Sequence, residues 1–117
     1  MTSEEKVKAI DDLISHVWMV RTFIKHCEEV EDDDDLRDVH RDLYDFMLAL
    51  GGPLQAGDHE KYLKQAKKKL KKLRGANELF LAIQPEISSH TNFQMAANSL
   101  KLAAEQIERI VMSDSNQ

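Results

Sequence analysis

In four separate stretches of this chain, apolar residues recur at alternating intervals of three and four. Only an α-helix that buries one face sets residues so spaced side by side. The first stretch reads Ile10, Leu13, Val17, Val20, Ile24 and Cys27, and Val7, Ile14, Trp18 and Phe23 widen the stripe. Ser3, Glu4 and Glu5 supply a cap and first-turn acids, so this helix is expected from Ser3 to about Val30. The second stretch is Leu36, Val39, Leu43, Phe46 and Leu50. Asp34 or Asp35 is its expected cap, and Gly51-Gly52-Pro53 its expected end. The third, capped by Asp58, places Leu63, Ala66, Leu70, Leu73, Asn77 and Phe80 on one face and is expected to stop near Ile83, ahead of Pro85. In the fourth, Thr91 and Gln94 form a capping-box pattern before Phe93, Ala96, Ala97, Leu100, Ala103, Ala104, Ile107, Ile110 and Val111. Its many alanines let a neighbouring helix approach closely.

Short connections between amphipathic helices make sequential neighbours antiparallel. The expectation is an all-α, antiparallel up-and-down four-helix bundle, with residues 1–117 as a single domain. Four glycines and two prolines are too few for the frequent turns of a sandwich or barrel.

Charge and composition remove several function classes. A net charge of −5 gives no overall positive field for phosphates, so nucleic acid is not an expected partner. The lone Cys27 cannot form an internal disulfide, which suits a reducing cytoplasm. The polar opening Met-Thr-Ser-Glu-Glu-Lys lacks the apolar core of a signal peptide, and no apolar run approaches the roughly 18–20 residues of a membrane span. A cytoplasmic protein without a membrane partner is the expectation. Charge is also segregated. Residues 28–38 hold eight acids and one base, whereas residues 61–74 hold eight bases and no acid. On the expected topology these runs lie toward opposite ends, which permits head-to-tail contact between copies. The basic face would also accept phosphates or an acidic protein partner. The plainer reading is that these charges solvate helix faces.

No pattern for catalysis emerges. There is no phosphate-cradling glycine loop, no G-x-S-x-G and no His-Glu-x-x-His. No histidine is preceded at three residues by Glu, as a di-iron bundle needs. After His40 the Lys-Gly positions of a phosphotransfer histidine hold Leu43 and Tyr44. No catalytic residue and no cofactor are expected from the residues themselves. Two weaker constellations remain. His26, His40 and His90 fall toward the bundle end with the acidic turn, where they would hold a divalent metal, against the alternative of solvated or partly packed rings. Trp18 and Arg21 lie at the edge of the first apolar stripe. Exposed, they form an interface anchor; buried, Trp18 completes the core. Asn77 stands at a core position, where an amide can set register or oligomer state.

Three stretches resemble the ATP:cobalamin adenosyltransferase family. Ile10-Asp11-Asp12-Leu13 with Val17 and Arg21 is similar to its V-D-E-L-N-x-x-I-G-x-x-R helix. Asp38 to Phe46, running to Leu50, is similar to I-Q-x-D-L-F-D-L-G-x-x-L, and Ile107-Glu108-Arg109-Ile110-Val111 to the closing A-E-R-x-V. The order holds over about residues 10–111. The resemblance implies a helical-bundle scaffold, a homo-oligomer of three copies, and Glu108 and Arg109 as residues toward a nucleotide or corrinoid. The family's triphosphate-binding T-R-T-G-D-x-G-x-T segment has no counterpart, and its Phe-x-x-Pro-Gly-Gly turn would fall on Phe80 to Pro85 without the glycines. Its Arg-Arg pair falls on Glu105 and Gln106, which cannot serve a phosphate. The preferred expectation is therefore a non-catalytic bundle acting through self-association or protein contacts. A nucleotide- or corrinoid-binding remnant and a metal-binding bundle are the alternatives.

Overall fold

The computed structural model describes residues 1–113; the expected polar tail beyond them lies outside the described residues. Four helices follow one another: α1 (Ser3–His26), α2 (Asp34–Ala56), α3 (His59–Ile87) and α4 (Thr91–Met112). A short 3-10 turn, Glu28–Asp32, joins α1 to α2. Each helix packs on its neighbours in the order α1, α2, α3, α4 and back to α1, so the four form an up-and-down bundle. The α2–α3 pair is the most extensively packed and α1–α2 the loosest of the adjacent pairs.

Most of the core comes from residues that the three-four spacing singles out, whereas Leu13, Cys27 and Leu63 are only partly buried against it. Ile10, Val17, Ile24, Leu36, Val39, Leu43, Phe46, Leu73, Phe80, Leu100 and Ile107 are fully enclosed. They bring all four helices into one cluster. Tyr62 joins them as the largest enclosed side chain.

Helix ends depart from the sequence expectations in instructive ways. The cap of α1 is Thr2: its hydroxyl accepts from Glu5 N at 3.1 Å, and Glu5 Oε1 accepts from Thr2 N at 2.7 Å. α1 stops at His26 instead of Val30, because Cys27 turns extended. Val30 is then carried on the 3-10 turn and still packs against the core. The acidic turn is held by Arg37, which donates to Val30 O at 2.9 Å and Glu31 O at 2.6 Å and pairs with Asp34. Asp33, not Asp34 or Asp35, caps α2 by accepting from Leu36 N at 2.8 Å.

α2 does not end at Gly51-Gly52-Pro53 but continues to Ala56. A proline disfavours helix in the residue before it by crowding that residue's Cβ, and Gly52 has none. Pro53 also lies on the core face and is buried. The stop comes at Gly57, whose φ of 68° suits glycine. There Asp58 N donates to Pro53 O at 3.0 Å and Gly57 N to Leu54 O at 3.1 Å, a Schellman closure. α3 likewise passes Pro85 and ends at Ile87, keeping Ile83 and Ile87 against the core. The α4 cap is His90, whose Nδ1 accepts from Asn92 N at 3.0 Å; Thr91 is already helical.

Candidate functional site

The seam between α1 and α2 carries the most unusual polar group. Arg21 of α1 lies in this seam and is only 8% exposed. Its guanidinium carbon lies 4.8 Å from the centre of the Trp18 ring and 4.9 Å from that of Tyr44 on α2. Trp18 itself is 50% exposed, so it does not complete the core. Arginine over aromatic faces gains a cation–π attraction. Arg21 Nε is nonetheless buried without an acceptor. His40, one turn before Tyr44, has a buried Nε2 without a partner. Burial first, then the positive charges of Arg21 and Lys25, hold His40 below the usual histidine range. Leu48, one turn beyond Tyr44, is exposed.

A second surface runs along the seam between α1 and α4. Leu13, His16, Met95, Ser99 and Leu102 line a depression of ≈ 390 Å³. Met19, Phe23, Asn92, Met95 and Ser99 line its continuation of ≈ 300 Å³. Met19, Met95 and Leu102 are exposed. His16 Nδ1 and Ser99 Oγ meet across the seam at 3.3 Å, and Phe23 packs edge-on to Phe93 with centroids 4.9 Å apart. None of the lining residues is Asp, Glu, Lys or Arg. In a chain that is 32% charged, that is a long neutral strip.

The basic run faces α2 in part. Lys72 donates to Asp45 at 3.2 Å and lies 3.8 Å from Asp42. Lys68, Lys69, Lys71 and Lys72 border an open hollow of ≈ 410 Å³ with Asp42 and Gly75. The acidic turn and the basic run sit on different helices toward opposite ends, as the alternating helix directions require.

The other sequence candidates are dispersed. Glu108 pairs with Arg74 of α3, over a small hollow that also borders Asn77, while Arg109 is exposed. Asn77 is buried, with Oδ1 lacking a hydrogen-bond partner. Among the described residues no three His, Cys, Asp or Glu side chains are grouped as a metal ion needs. His26, His40 and His90 are thus not brought together: His26 is exposed, His40 lies in the α1–α2 seam and His90 caps α4. Sequence reading placed Trp18 and Arg21 together but missed Tyr44 as their partner on α2. It also missed the neutral α1–α4 strip, which shows in the sequence only as Met19, Met95 and Leu102 standing off the core spacing. No helix among the described residues is long and apolar enough to cross a membrane. No protein-family model, curated protein or solved structure matches this chain.

Proposed function

We propose that this chain is a non-catalytic helical bundle that acts through self-association and protein–protein contacts in the cytoplasm, on an adenosyltransferase-like scaffold without that family's triphosphate chemistry. The observation that carries the reading is the neutral α1–α4 strip, with Met19, Met95 and Leu102 exposed on it. A symmetric pair that sets one face against its own copy brings like residues near like. A charged face would repel itself there; this one would not, and it would remove apolar surface from water. Light scattering behind size exclusion tests the proposal and counts the copies: two for this face-to-face pair, against the three that the family resemblance implies. A monomer at high concentration would sink the self-association.

The hollow bordered by Lys68, Lys69, Lys71 and Lys72 favours a second reading, a remnant nucleotide or corrinoid binder. A thermal-shift titration with magnesium-ATP, and separately with cobalamin, tests it. A ligand that binds only the folded state adds about 2.7 kcal/mol at a hundredfold excess over its dissociation constant. Flat titrations of both would remove this reading.

A further inference from the structure

Among the described residues the side chains of Lys6 and Arg21 are buried, and they are treated differently. Lys6 donates its Nζ to Ser113 O at 3.0 Å. Arg21 has no ion pair among the described residues, and its Nε has no acceptor. Of its guanidinium, Nε is enclosed without an acceptor while the group lies between the Trp18 and Tyr44 rings, so the seam carries a charge that no acid among the described residues matches. Its surroundings offer no compensating acid: Lys25, one helical turn further along α1, adds positive charge, and the His40 ring across the seam is disfavoured from taking up a proton. Beside this unmatched charge, Trp18, Tyr44 and Leu48 present exposed aromatic and apolar surface.

From this arrangement we infer that the Arg21 seam is an anchor for an acidic side chain of a protein partner, whose neighbouring apolar residues lie on Trp18, Tyr44 and Leu48. The planar fork of arginine matches a carboxylate with two parallel hydrogen bonds. The apolar rim distinguishes this ligand from a free anion, because a small ion leaves Trp18 and Leu48 in water. A buried Arg flanked by aromatics is also the composition of interface hot spots. The site stands apart from the α1–α4 strip and does not need self-association there.

Trp18 is the only tryptophan, so its fluorescence reports this seam directly. The probe is a capped acetyl-Leu-Glu-Leu-amide peptide, titrated beside its glutamine twin, sodium acetate and inorganic phosphate at matched ionic strength. The expected result is a saturable change with the acidic peptide, with a dissociation constant on the order of 1 mM, as a few contacts allow. Binding is expected to weaken at least about tenfold for the glutamine twin, the equivalent of one charge-assisted hydrogen bond. Arg21→Gln should abolish the response. Leu48→Glu changes a side chain that is 63% exposed, and it should abolish the response by repulsion even if the Arg21 variant fails to fold. A flat titration, or equal affinity for both peptides, overturns the inference. Acetate or phosphate binding as tightly as the peptide also overturns it, leaving a small-anion site. Repeating the titration on Leu102→Glu separates this outcome from any failure of self-association at the other seam.

Discussion

The guanidinium of Arg21 lies 4.8 Å from the ring of Trp18, three residues earlier on the same helix, and Trp18 is itself half exposed. With Nε enclosed and no counter-ion among the described residues, this cation loses part of its hydration, and each exposed cation–π contact returns about 0.5–1 kcal/mol. Arg21→Met keeps the length and removes the charge. We expect it to raise the unfolding free energy by about 1 kcal/mol, measured by urea denaturation. A loss of similar size would show that the ring contacts outweigh the buried charge.

His40 gives the fold an acid sensitivity. Its protonation is disfavoured in the native state by burial and by Arg21 and Lys25. Above the unfolded imidazole's range both states are neutral and nothing is lost. Below about pH 6.5 the unfolded chain takes up the proton first, so stability falls until the folded state is protonated as well. His40→Gln is expected to flatten the loss between about pH 7 and 5, read from denaturation midpoints across that window.

Met95 and Leu102 are exposed on the neutral strip, so charging them spares the core. Leu102→Glu and Met95→Glu should each convert an oligomer to monomer in light scattering. Their melting temperature at matched monomer concentration should change only by the lost association. Unchanged mass in both variants would place the contact elsewhere.

The glycines should answer with opposite signs. Gly51 and Gly75 lie inside helices, and a Cβ there meets nothing within 4 Å. Each change to Ala should stabilise the protein by about 0.5–1 kcal/mol. Gly57 also has open space, but its φ of 68° is left-handed, and Gly57→Ala should cost about 1 kcal/mol. Thermal denaturation of the three variants checks the order.

Tyr62 is fully enclosed and its hydroxyl has no hydrogen-bond partner. Burial, with Asp11 adding to it, pushes its phenol well above the usual range. Tyr62→Phe keeps the ring and removes the stranded hydroxyl. We expect stability to rise by about 1 kcal/mol in denaturant titration; a fall would mean the hydroxyl is satisfied in solution.

The apolar spacing by itself determined the fold class. Residues such as Ile10, Val17, Leu43, Phe46, Leu73 and Leu100 recur at helical intervals and are enclosed in the bundle. Periodicity is a local property, and burying one face of each of four helices leaves little choice of architecture. Helix ends were less legible, because they depend on what an end residue packs against. Pro53 and Pro85 read as breakers, yet α2 and α3 run past both, to Ala56 and Ile87. The candidate sites were decided still further from the local sequence. Trp18 and Arg21 stood together on one helix, but only the packing of α1 on α2 set Tyr44 and His40 beside them. The same packing left Arg21 without an acid and turned Trp18 outward. Spacing says which face of a helix is apolar; charge pairing across a seam depends on which residues the neighbouring helix presents at that height, and that is settled only when the helices dock.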